Sequence, residues 1–168
     1  FTMPDCHALC ADEKQAKEEM LNRFAAAKLL QSEMGLDVSK DLEMGVRLTK
    51  EFYTKNKSFV TKLVKEWGKP ALIEMWDKQF FYFTLKYEWN FIDSIDKAAA
   101  LTTDQIDVVN SDNYDINYID SKGEKKRPFI LHLSPSGAVE RVMYAFLEKA
   151  GMAEKAGKIG SLPLWLAP

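Results

Sequence analysis

Apolar positions recur along this chain at two spacings, and each change of spacing marks a change of element. Between Asp12 and Met34 they fall at three- and four-residue steps, at Met20, Phe24, Ala27, Leu30 and Met34. That pattern predicts an amphipathic helix with this stripe packed in the core. Asp12 and Glu13 stand where a helix start favours acids, and Gly35 is placed to close the helix. A second helix is predicted over Asn56–Trp67, with Phe59, Val60, Leu63, Val64 and Trp67 on one face, ended by Gly68 and Pro70. A third runs over Gly137–Ala150, its Val139, Met143, Phe146 and Leu147 forming the face expected to meet a sheet.

Between the helices the period shortens. Leu42–Leu48, Ala71–Trp76 and the aromatic-rich Gln79–Ile92 read as strands, the last carrying Lys86 and Glu88 on one face. Thr103–Val109 alternates, with Thr103, Gln105 and Asp107 on one face and Ile106 and Val108 on the other. Tyr114–Asp120 and Lys125–Leu133 flank Ser121-Lys122-Gly123-Glu124, a predicted hairpin turn. Residues 1–10 read as extended from near Pro4, so Asp5 and His7 share a face and Cys6 points away. Helices interspersed with antiparallel strands predict an α+β domain, a mostly antiparallel sheet flanked by helices. Gly157–Gly160 reads as a loop, and no repeat, low-complexity tract or linker divides the chain.

Composition narrows the class. The 168 residues suffice for one domain with a core, and 46% hydrophobic with 29% charged residues is ordinary for a soluble globular protein. A net charge of −2 provides no global basic field, so any nucleic acid must be met through local patches. Cys6 and Cys10 make no disulfide framework, which fits a reducing cytoplasm. No apolar run approaches a membrane span and no signal peptide is visible, so neither membrane nor export is expected.

The stretch richest in chemistry is Pro128–Arg141, PFILHLSPSGAVER. A short apolar strand ends at His132, a Gly-bearing turn follows, and a helix begins with Arg141 in its first turn. Free N–H groups at such a terminus suit an anion. Taken alone, a histidine after a strand is more often structural than a ligand, and an arginine on a helix is more often a solvated charge.

The run FTMPDCHALC at residues 1–10, then ILHLSPSGAVER, then LPLWLAP at residues 162–168, resembles the catalytic domain of the threonyl-tRNA synthetase family, in its archaeal type. Gly137–Arg141 is similar to motif 3 of class II aminoacyl-tRNA synthetases. The resemblance covers essentially all 168 residues. It implies that residues 1–168 are the C-terminal portion of a class II catalytic domain, a fragment inactive alone. Motif 1, most of motif 2, any editing domain and the anticodon-binding domain would then lie outside it.

The resemblance also implies chemistry at named positions. The intact enzyme would use ATP with Mg²⁺ to activate threonine and transfer it to tRNA, as a homodimer formed through parts outside these residues. His7 and His132 match two ligands of a zinc ion whose third ligand, a cysteine, would lie upstream. Three protein ligands leave a zinc position open for substrate. Zinc ligation of a hydroxyl separates threonine from isosteric valine, which an apolar pocket does poorly. Asp5 matches an acceptor for the threonine hydroxyl. Arg141 matches the arginine that holds ATP by its γ-phosphate and adenine face, and Glu140 reads as its structural neighbour. Lys86, Thr103 and Gln105 match substrate-facing strand positions, with Lys86 and Arg141 in catalytic roles. Met3, Pro4 and Ala100 depart from the family's polar residues, so contacts from those side chains are lost. Two other readings stay open: a synthetase-like binding or regulatory module without activation chemistry, and a structural zinc site on the Cys6–Cys10 pair, whose spacing is permitted for zinc.

Overall fold

The computed structural model describes residues 1–158; the Leu162–Pro168 run and the end of the predicted 157–160 loop lie outside that range. Strand β1, Cys6–Cys10, leads into helix α1, Glu13–Glu33. Asp12 caps α1 by accepting the Gln15 N–H at 2.8 Å. At the other end Gly35 has φ +100°, and the Gly35 and Leu36 N–H groups bond back to Ser32 and Gln31. That is a Schellman closure, with Leu36 buried beneath it.

The short helix α2, Val38–Asp41, precedes strand β2, Leu42–Thr49. Helix α3 spans Lys50–Trp67 and so begins well before the predicted Asn56. Thr49 caps it by accepting the Phe52 N–H at 3.1 Å. Asn56 instead marks a kink, with φ −127° and ψ 27°, where its side chain accepts a hydrogen bond from Lys17 at 2.6 Å. Strands β3, Leu72–Trp76, β4, Phe83–Ile92, and β5, Ala98–Asp107, follow. Gln79–Tyr82, expected within β4, lies outside the strand in a bent connection, where the Phe80 and Phe81 rings gather around Trp76 with centroids 4.6 and 5.2 Å away.

Helix α4, Asn110–Asn113, precedes the predicted hairpin, which is only a two-residue ribbon of β6, Tyr118–Ile119, and β7, Lys125–Lys126. Pro128, which lacks an N–H, separates β7 from β8, Phe129–Ser134, and β8 joins the main sheet. Helix α5 spans Val139–Lys155.

The main sheet has six strands in the order β1-β8-β5-β4-β2-β3. Every neighbouring pair is antiparallel except β2 and β3. The α+β class with a largely antiparallel sheet is therefore observed. One apolar cluster joins the sheet to α1, α3 and α5. Phe24 of α1 lies 5.1 Å from Tyr87 and 4.9 Å from Trp89, and Trp67 of α3 lies 5.2 Å from Trp89, edge and tilted contacts that lock both helices to β4.

Two helix faces differ from expectation. In α1, Leu30 is only half-buried, while Arg23 and Gln31 are buried. Arg23 donates to buried Asp104 of β5 at 3.0 Å and to the Cys6 carbonyl at 2.6 Å. Gln31 donates to Thr102 at 2.8 Å and to the Ser136 carbonyl at 3.2 Å. In α5 the buried face is Val142, Ala145 and Phe146, whereas Val139, Met143 and Leu147 are exposed. None of the described helices is long and apolar enough to cross a membrane.

Candidate functional site

Sheet register decides what the helix-free face presents. Directly paired residues on neighbouring strands point to the same side. His7 pairs with His132, His132 with Gln105, Gln105 with Lys86, Lys86 with Arg47, and Arg47 with Glu74. Six polar side chains from six strands thus form one row across the face opposite the apolar cluster. The adjacent row sets Glu88 beside Thr103 and Thr103 beside Ser134. Four of the seven predicted site residues share the first row, and Thr103 lies in the second.

At the β1–β8 end the two imidazoles touch, with centroids 4.6 Å apart and planes at 84°. His132 Nε2 lies 2.8 Å from Oδ2 of Asp107, which is fully buried. Burial pushes the Asp107 carboxyl up, but the N–H groups of Asn110 and Val109, with His132 and the Asn110 side chain, outweigh it and hold the carboxyl below its usual range. Asp5 precedes β1 by one residue, and its charge acts on Tyr82. The Tyr82 ring meets His132 edge-on at 5.6 Å. Burial raises the Tyr82 hydroxyl, the Asp107 and Asp5 charges add to that, and a Gln105 hydrogen bond opposes it. Gln105 Oε1 and Ser134 Oγ are buried with no partner among the described residues.

Further along the row, one Glu88 oxygen accepts from Lys86 at 3.2 Å and from Arg47 at 3.0 Å. Arg47 also donates to Glu74 at 2.9 Å. A cleft of about 290 Å³ opens over this end, lined by Arg47, Glu74, Glu88, Asn90 and Leu72 among others.

Arg141 sits apart from the row. Its guanidinium donates to the Ala100 carbonyl at 3.2 Å and stacks over Phe1 at 4.9 Å. Two features fix that position. Gly137, at φ +82°, approaches β5 so closely that a Cβ there would lie 2.5 Å from the Leu101 backbone. Thr2 clamps the helix start: its carbonyl accepts the Val139 N–H at 3.0 Å, and its own N–H donates to Glu140 at 2.9 Å. Glu140 is a structural partner, as the sequence reading had it. At the helix terminus read as suited to an anion, Thr2 takes the Val139 N–H. Arg141 is half-buried, one turn before buried Ala145.

Cys6 and Cys10 do not converge with His7. Cys6 Sγ lies 3.9 Å from Arg23, on the helix side, and Cys10 is buried, which raises its thiol. Among the described residues no three His, Cys, Asp or Glu side chains gather as a metal site. Tyr82, Arg47 and the Asp107–His132 contact lay beyond the sequence reading. Only Asp107 had a signal there, its shared face with Thr103 and Gln105.

No protein-family model matches the chain. It is 54% identical over all 168 residues to a threonine–tRNA ligase of Nitrosopumilus maritimus and 52% identical to that of Pyrococcus horikoshii. In each case it spans 27% of the relative, so the chain covers about a quarter of the length of the curated relatives it matches. Among solved structures it resembles the RNA binding domain of a threonyl-tRNA synthetase from Cryptosporidium parvum, with TM-score 0.67 and 20% identity, over 99% of this chain and 40% of that one. It also resembles a histidyl-tRNA synthetase of S. aureus, with TM-score 0.57 and 15% identity, over 86% of this chain and 39% of that one. These two likenesses concern the fold.

Proposed function

We propose that this chain, matched from end to end by archaeal threonine–tRNA ligases, is the C-terminal portion of a class II catalytic domain. In this reading the intact enzyme activates threonine with ATP and Mg²⁺ and passes the threonyl group to tRNA. The observation that carries the reading is the row that sets His7, His132, Gln105 and Lys86 side by side in a chain so similar to those ligases.

His7 and His132 fit a zinc ion. Their rings touch without stacking, and His132 has a carboxylate on one nitrogen, the arrangement typical of liganding histidines. The third donor, a cysteine in our reading, comes from the longer protein upstream. When bound, the ion supplies a Lewis-acid position for the amino and hydroxyl groups of threonine. Asp5, two residues from His7, accepts a hydrogen bond from the threonine hydroxyl. The unpartnered Gln105 Oε1 accepts from the amino group, and Thr103 lines the adjacent row. The threonine carboxylate attacks the α-phosphorus of ATP and pyrophosphate leaves, with no protein nucleophile. Lys86 offsets the negative charge of the reacting oxygens. Arg141 uses one of its five N–H donors on Ala100 and turns the rest of its flat fork to ATP. Catalysis is then positioning plus electrostatics.

The test is amino-acid-dependent ATP–pyrophosphate exchange by the full-length protein. Threonine supports exchange, and so does serine, because losing one methyl contact costs only about 1–3 kcal/mol. Valine, which has no hydroxyl to offer the zinc, supports almost none. Valine exchange equal to that of serine overturns hydroxyl selection by zinc; absence of threonine-dependent exchange overturns the enzyme reading in favour of a binding module. Zinc content should fall in His132→Ala; full retention would move the metal elsewhere.

A further inference from the structure

The contact between His132 and Asp107 carries a consequence for which nitrogen of His132 binds metal. Asp107 uses both carboxylate oxygens. Oδ1 accepts the N–H groups of Val109 and Asn110, each at 2.9 Å. Oδ2 accepts the Asn110 side-chain amide at 2.7 Å and faces His132 Nε2 at 2.8 Å. A carboxylate only accepts hydrogen bonds, so the proton of a neutral His132 must reside on Nε2. The lone pair is then on Nδ1. Asp107 itself cannot turn away, because it is fully buried and Oδ1 is held by two backbone amides at the start of α4.

We propose that Asp107 is a positioning residue that fixes His132 in the Nε2–H tautomer and so makes Nδ1 its metal-binding nitrogen. This rests on the zinc reading above. Asp107→Asn makes the sharpest test, because the two oxygens of Asp107 differ in their partners. The introduced amide must keep its oxygen on the Val109 and Asn110 N–H groups, since turning it over would set an NH₂ against both. Its NH₂ then faces His132 Nε2, which has to become the acceptor, and the Asn110 side-chain amide, which turns its oxygen inward to accept in its turn. The proton moves to Nδ1, the nitrogen that should ligate.

The experiment uses the full-length protein stripped of metal and titrated with Zn²⁺ against a competing chelator. Nitrogen-15 NMR of the metal-free protein reads the His132 tautomer separately. Asp107→Asn is expected to shift the tautomer from Nε2–H to Nδ1–H and to weaken zinc about 10–100-fold. Asn110→Ala is the control for damage to the loop. It removes the 2.7 Å contact to Asp107 but leaves the carboxylate on His132, so tautomer and zinc affinity should stay as in the unmodified protein. An unchanged tautomer in Asp107→Asn overturns the proposal. So does zinc weakening of equal size in Asn110→Ala, which would make Asp107 merely structural. Failure of the zinc reading looks different: the unmodified protein binds no zinc, or His132→Ala binds it as tightly.

Discussion

Gly137→Ala tests how the sequence sets Arg141 in place. Two costs add at this position. The backbone has φ +82°, where a Cβ costs about 1–2 kcal/mol. The new Cβ would also lie 2.5 Å from the carbonyl carbon, Cα and oxygen of Leu101, all backbone atoms with no rotamer to change. Reaching an ordinary contact of 3.4 Å requires β5 and the start of α5 to part by about 0.9 Å, the difference of those distances. That movement strains the bonds from Thr102 to the Pro135 carbonyl at 2.7 Å and from Gln31 to the Ser136 carbonyl at 3.2 Å. Overpacking of this kind costs about 1–3 kcal/mol. The sum is about 2–5 kcal/mol, or roughly 5–15 °C in Tm for a chain of this size. Gly123→Ala isolates the backbone part. Gly123 has φ +81°, yet its Cβ would meet nothing within 4 Å, so only about 1–2 kcal/mol should be lost. Urea unfolding of the 168-residue chain measures both. Equal losses in the two variants would refute the packing argument, and a loss below about 1 kcal/mol in Gly137→Ala would refute the backbone argument as well.

Arg141→Ala in the full-length protein should lower kcat and kcat/KM for pyrophosphate exchange together, with zinc content and unfolding unchanged, and Arg141→Lys should rescue poorly for want of a flat fork; near-normal exchange would make Arg141 a structural tie between Phe1 and Ala100. The buried Arg23–Asp104 pair should leave a signature in pH. Burial raises Asp104 from 3.8 to about 6 against the opposing pull of Arg23, so between those values the native state holds a proton that the unfolded state has lost. Stability from this group is therefore present below the unfolded value and falls as pH rises through about 6, by up to about 3 kcal/mol. The double replacement Arg23→Met with Asp104→Leu should flatten that part of the stability profile in urea titrations between pH 4 and 7; an unchanged slope would show that Arg23 keeps Asp104 ionised throughout.

Local chemistry made much of this fold legible without coordinates. Asp12, Gly35 and Gly68 act within a turn of their own positions, so capping rules placed both ends of α1 and the end of α3. Alternation in 83–92 and 103–107 put Lys86 with Glu88 and Thr103 with Gln105 and Asp107, because side chains on a strand can only go up or down. The start of α3 was missed because Thr49 caps a first turn whose apolar stripe is interrupted at the Asn56 kink. The buried face of α5 was missed because Gly137 seats the helix on Leu101, and that landing, rather than the Val139–Met143–Leu147 spacing, turns Val142 and Ala145 inward.

The candidate site divides along the same line. His7, His132, Gln105, Lys86 and Arg141 could be named from the family resemblance, but their spacing along the chain says nothing of which stand together. Register between strands far apart in sequence put the first four in one row with Arg47 and left Arg141 at Ala100. The same long-range pairing brought Asp107 and the Tyr82 ring to His132, and Arg23 to Asp104 through the core. A residue's own neighbours determine whether it is helical, extended or capped, and the sequence carries that information in place. Which groups share a face across six strands depends on pairings that form only when the whole sheet closes over one core, and that was the decision of the tertiary structure.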